Sequence, residues 1–258
     1  MLFDVFSNMK IEYFAVLPIS ECRVVKPHLL KRLDFEPKSV IFYLLPYYVG
    51  GTKRVSEYAA ARDYHILLSE VGGTVCKKLA DMGASGYSFG DHSPFDERDA
   101  AARAGLGRLG ENGLLINEKY GTYVFIGEVL TDAALPLTPL LNEARTCLGC
   151  GKCREACPKS VTGECLSAIT QKKGELSASE CELLRRVGTA WGCDICQSVC
   201  PYNSTVTRTP LDFFLRDRIA EPTLSDIEKM SDEEFSKRAY SWRGRDVIVR
   251  NLKILSGK

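Results

Sequence analysis

Nine of the eleven cysteines in this 258-residue chain lie between Cys147 and Cys200, and no other feature constrains the fold as strongly. The first group reads Cys147-x2-Cys150-x2-Cys153-x3-Cys157-Pro158, and the second reads Cys193-x2-Cys196-x3-Cys200-Pro201. Zinc is normally closed by two separated C-x2-C pairs. Repeated two-residue gaps ending in x3-C-P instead suit a loop wrapped around an iron–sulfur cubane, with one thiolate arriving from elsewhere in the chain. In two-cluster ferredoxins the cysteine before proline serves the other cluster. That rule assigns Cys147, Cys150, Cys153 and Cys200 to one 4Fe–4S cluster. It assigns Cys157, Cys193, Cys196 and a fourth ligand to the other, and spacing leaves Cys165 and Cys181 both open. An odd cysteine count argues against a disulfide framework. Cys22 and Cys76 sit in no ligand spacing and read as small buried hydrophobes.

The rest of the composition is that of an ordinary globular protein, 45% hydrophobic and 26% charged, with a length that suggests about two domains. With 34 basic and 33 acidic residues, the net charge of +1 provides no global field toward nucleic acid or lipid. No apolar run reaches the length of a membrane helix. The first residues, MLFDVFSNMKIEYF, lack the basic start and apolar block of a signal peptide, so a cytoplasmic protein is expected.

Strands are expected over 11–17 (IEYFAVL) and 40–45 (VIFYLL), and a helix over 56–82 weakened by Gly72-Gly73. A second helix is expected over 97–104, and a hairpin of 114–116 with 122–130 around a turn at 117–121. Two prolines at 135–139 mark a linker, and short helices are expected near 166–172 and 179–186. Residues 237–258 hold seven Lys/Arg against Asp246 and read as a solvated amphipathic helix. This gives three expected regions: an α/β cofactor and substrate domain over 1–140, a ferredoxin-like double-cluster domain over 141–210 and a helical basic tail over 211–258.

Gly105-Leu106-Gly107-Arg108-Leu109-Gly110 matches G-x-G-x-x-G, but it follows a helical segment and leads into a strand, the reverse of the dinucleotide-binding context. Just upstream, residues 90–98 (GDHSPFDER) offer acids, a histidine and an arginine at the start of a helix. They serve either as caps, with Ser93 or Asp96 at the N-cap, or as a proton-donating site.

Taken together, RDYH (62–65), DHSPFDER (91–98), RAGLGRLGENGLLI (103–116), GTYVFIGEVLTD (121–132), CLSAITQKKG (165–174) and GCDICQSVCPYN (192–203) resemble the epoxyqueuosine reductase family. The resemblance implies an α+β protein in which a cobalamin-binding-like α/β domain precedes a double 4Fe–4S domain and a short helical tail. It implies a cobalamin-dependent oxidoreductase of queuosine biosynthesis, whose clusters deliver electrons to a base-off cobalamin that acts on the epoxide of a modified guanosine in tRNA. It selects Cys165 over Cys181 as the eighth cluster ligand, and makes Asp91 the proton donor. His65 and Arg98 would position substrate or cofactor, and Gly105, Gly107 and Gly110 would let backbone pass the corrin face. A flavodoxin- or ferredoxin-type electron donor and tRNA are the expected partners, with no membrane. The chain reads as a short member lacking the family's C-terminal helical-repeat domain, acting on epoxyqueuosine or a smaller analogue. The alternative is a ferredoxin-like electron carrier with no chemistry of its own.

Overall fold

The computed structural model describes residues 2–159 and 163–257. The chain divides into two compact units, each assembled from separate stretches. One contains Met1–Tyr47, His65–Cys150 and Thr205–Leu211; the other contains Tyr48–Tyr64, Gly151–Ser204 and Asp212–Lys258. A linear three-part division was expected. The sequence-distant tail instead packs into the unit that holds most of the cysteines.

The first unit is built on a four-stranded sheet of β1 (Phe14–Pro18), β2 (Ser39–Pro46), β3 (Gly86–Phe89) and β6 (Val124–Thr131), in the order β1-β2-β6-β3. Every neighbouring pair is antiparallel, with Leu44 opposite Ile126 and Tyr87 opposite Leu130. This corrects the α/β expectation for the N-terminal region. All eight residues of β2 are buried, because both faces of the sheet are covered. Val40, Phe42 and Leu44 pack with Ala100 and Ala101 of one helix, α4 (Glu97–Arg103). Tyr43 points the other way, meets Phe6 in a tilted ring contact and donates its hydroxyl to Leu68 O at 3.2 Å. An antiparallel strand normally alternates because one face meets water. Here neither does, so VIFYLL reads like the continuous apolar strand of a parallel sheet.

The helix expected over 56–82 begins only at Tyr64 and runs to Asp81. Gly72 does not break it. A Cβ there would collide with the side chain of Ser88 on β3, so the glycine is what lets helix and sheet approach. The expected hairpin is also corrected. β5 (Leu115–Ile116) pairs with β4 (Arg108–Leu109), while β6 joins the main sheet, leaving only an isolated bridge between Asn117 and Gly121. The proline linker is tied down: Val16 N donates to Thr138 Oγ1 at 3.0 Å, and Thr138 N donates to Val16 O at 2.8 Å.

The second unit is made of short helices: α5 (Lys152–Ala156), α6 (Leu166–Thr170), α7 (Ala178–Val187), α8 (Ile195–Ser198), α9 (Asp212–Leu215), α10 (Leu224–Lys229), α11 (Asp232–Ser236) and α12 (Arg245–Leu255). Capping boxes at Ser177/Glu180, Thr223/Asp226 and Ser231/Glu234 start α7, α10 and α11. The tail helix α12 packs on α6, α7 and α10. Its Asn251 is fully buried and donates to Thr170 O and Ala190 O, both at 2.7 Å. Several basic residues of the tail also work inside the unit. Arg238 donates to Asp217 O at 2.6 Å, and Arg250 donates to Lys172 O at 2.8 Å. Among the described residues no helix is long and apolar enough to cross a membrane.

Candidate cluster and acid sites

Each x3-C-P run ends a short helix in the same way. Cys157 closes α5 with φ −74° and ψ 124°, and Cys200 follows α8 with φ −73° and ψ 124°. Proline excludes the helical region for the residue before it, so both cysteines are forced extended and the chain turns away from its own helix. That is the local reason the last thiol of each run can serve a neighbour.

In the second unit, α5 packs on α8, drawing Cys153 and Cys157 to the helix that carries Cys196. Cys165 is the N-cap residue of α6. Burial pushes the Cys193 thiol up to about 11 and the Cys196 thiol up to about 12, and negative charge on Cys157, Cys165 and Asp194 adds to both shifts. Cys157 and Cys165, from two other stretches of sequence, therefore lie within electrostatic reach of Cys193 and Cys196. Cys181 turns elsewhere, with its Sγ 3.8 Å from Leu176 O. Thiols gathered in a half-buried setting are costly to ionise unless a cation compensates them, and the donor set fits an iron–sulfur cluster in that respect. The loop between Cys193 and Cys196 is fixed by half-buried Asp194, which accepts from Ser56 Oγ at 2.5 Å, Glu57 N at 2.6 Å and Gln197 Nε2 at 2.8 Å. Its role is not visible from spacing alone. In the first unit, Cys147 is anchored to β4 through its N–H to Leu109 O at 2.9 Å, and Cys150 is exposed. Among the described residues no three His, Cys, Asp or Glu side chains converge to hold a single metal ion. Cys22 is buried and its thiol is pushed up to about 12, and burial also raises Cys76; both behave as packing residues.

The first unit also gathers the acid segment. His65 Nε2, near the start of the long helix α3 (Tyr64–Asp81), lies 3.5 Å from Asp91 Oδ2, and both side chains are about half exposed. Asp91 lines a cavity of about 310 Å³ together with Val25, Lys26, Ser93, Glu97 and Arg98. Arg98 is held by its Nη1 donating to Gly113 O at 2.6 Å. Capping falls to Asp96, which accepts from Asp99 N at 3.3 Å. Ser93 does not cap the helix and instead accepts from Phe95 N and donates to Glu128 Oε2, each at 2.9 Å.

Two further acids of this region have no catalytic role assigned to them from the sequence. Glu97 is pushed up to about 7, first by burial and then by the negative charge of Asp91. Glu128 is 1% exposed in β6 and is pushed up to about 8 by burial. A lone acid inside the apolar strand VFIGEVLT was the available signal. Gly107 and Gly110 are explained within the hairpin itself. A Cβ at Gly107 would sit 2.6 Å from Ile116 O, and one at Gly110 would strike Asn112. Gly105 adopts φ +78° in the turn after α4.

No family model matches the chain. The epoxyqueuosine reductase of Staphylococcus aureus is 32% identical over 208 residues, covering 74% of this chain and 53% of the relative. That of Listeria monocytogenes is 32% identical over 271 residues, covering 92% of this chain and 68% of the relative. The chain thus spans about half to two-thirds of the length of these curated relatives. A crystal structure of epoxyqueuosine reductase with an epoxyqueuosine-modified tRNA-Tyr stem loop superposes with a TM-score of 0.78 at 22% identity, over 98% of this chain and 79% of that one. That likeness shows the shared fold, and the sequence relationship settles the lineage: this chain belongs to the epoxyqueuosine reductase family.

Proposed function

We propose that the chain is a reductase that passes electrons through two 4Fe–4S clusters to a base-off cobalamin and removes the epoxide oxygen of epoxyqueuosine in tRNA, or of a smaller analogue. The observation that supports this reading is the packing of α5 on α8, which brings the helix of Cys153 and Cys157 to the helix that carries Cys196. Cys-Pro spacing assigns Cys147, Cys150, Cys153 and Cys200 to the other ligand set. Family membership supplies the reaction class.

At the acid site, Asp91 protonates the oxygen that leaves the substrate carbon. His65, 3.5 Å away, orients the carboxyl and stabilises it once it is ionised. Arg98 and Lys26 give the cavity a positive edge suited to a polar substrate. Exposed Val24 and Val25 beside it offer an apolar contact suited to a macrocycle face, and this is the feature of the first unit that fits a corrin. Cobalamin, when bound, supplies the reduced metal centre for the deoxygenation.

The test is an anaerobic assay of reconstituted protein with epoxyqueuosine-containing tRNA and the free nucleoside, a reductant, and nucleoside analysis. Conversion of either substrate to queuosine supports the reading. Clusters that reduce and reoxidise while both substrates stay unchanged would identify an electron carrier instead.

A further inference from the structure

The cavity holds more acid than one protonation requires. Asp91 is at the exposed end, Glu97 lines the same cavity, and Glu128 lies beneath them in β6. Glu128 Oε2 accepts from Ser93 Oγ, which itself lines the cavity. Oε1 is buried with no hydrogen-bond partner among the described residues. A buried carboxylate with an unpaired oxygen costs far more than the neutral acid in the same place. Glu97 feels the charge of Asp91 on one side, and Glu128 feels that of Glu97 on the other.

We propose that Glu97, backed by Glu128, is a second acid of this site that recharges Asp91 with a proton between turnovers. The inference rests on the reading of Asp91 as proton donor. Asp91 releases its proton to the departing oxygen and becomes a carboxylate. The O–H bond of the Glu97 carboxyl then breaks as an O–H bond forms on Asp91, and solvent returns a proton to Glu97. No electron moves in these steps. Glu128 stays neutral throughout and keeps negative charge from accumulating below Glu97. The charged and titratable groups facing the pair are Asp91, Asp96, Arg98 and Lys26 around Glu97, with Lys26, Tyr43 and Cys22 around Glu128. The upward shift of Glu97 to about 7 agrees with an acid that can reload near neutral pH.

Infrared difference titration of protein carrying 13C-labelled glutamate, with Glu97→Gln used to assign the band, reads the proton directly and needs no turnover. A Glu97 carboxyl that stays protonated to about pH 7 and ionises at lower pH in Asp91→Asn is the expected result. A band in the ordinary carboxylate range, or one unmoved by Asp91→Asn, overturns the proposal. In the reconstituted enzyme, Glu97→Gln should lower kcat about 10- to 100-fold and alter its pH profile, with iron content intact and activity largely restored by Glu97→Asp. Normal turnover and an unchanged profile in Glu97→Gln would overturn the proton reserve while leaving the reductase reading in place. A wild-type protein that turns over neither substrate would sink that reading instead, and the infrared titration would still decide the proton state of Glu97.

Discussion

The sheet unit and the cysteine unit are stabilised on different terms. In the first, β2 is buried along its whole length between two partners and two covered faces, and the core needs nothing beyond its own side chains. In the second, Cys153 and Cys196 ride on helices of five and four residues, too short to persist alone. Ile195 of the second helix packs on a small cluster of Leu166, Ile169, Leu183 and Leu184, and elsewhere in the unit Trp191 Nε1 donates to Tyr58 Oη at 2.9 Å. A scaffold of this kind holds its thiols close while leaving their charge uncompensated. Under the proposed assignment, cluster binding adds the missing stability. Under that assignment, the first unit is a fold that carries a site, whereas the second is gathered around its clusters.

The severest way to break this contrast is Cys196→Ser. Turnover should be lost and iron should fall to about half, while limited proteolysis cuts residues 151–204 faster and leaves β2 protected. Next in size, Asp91→Asn should keep its full iron content but lose about 100- to 10,000-fold in kcat, since only the proton donor is removed. In the sheet unit, Leu44→Ala should cost about 2–5 kcal/mol in denaturant unfolding whether or not iron is present. A cost that depended on iron would mean that the sheet does not stand alone. The smallest effect sharpens the picture of the buried acid. Glu128 binds its proton more tightly folded than unfolded, so its contribution is fullest below the ordinary value near 4.5 and is lost as pH rises through about 8. Glu128→Gln should therefore raise Tm relative to wild type at pH 8, by the equivalent of about 1–3 kcal/mol, and leave it nearly unchanged at pH 4.5.

The backbone at the end of each cysteine run was legible because proline acts locally. Cys157 and Cys200 share one backbone conformation for a reason visible in the dipeptide Cys-Pro. The strand 40–45 and the helix at 97 were legible from apolar runs and from Asp96. Sheet direction was not, because burial on both faces erases the alternation that marks antiparallel strands. Nor was the role of Gly72 or of Glu128. Each depends on a partner far along the chain, Ser88 on β3 in one case and the Ser93 hydroxyl in the other. His65 and Asp91 lie in separate segments of the sequence, and their pairing at 3.5 Å is a product of the fold.

Metal and acid-labile sulfide analysis of protein purified without oxygen, combined with electron paramagnetic resonance after reduction, tests the central assignment most directly. Two clusters on eight cysteines require about eight irons and about eight sulfides per chain, with signals from two interacting centres. Stoichiometric zinc with no sulfide would contradict it.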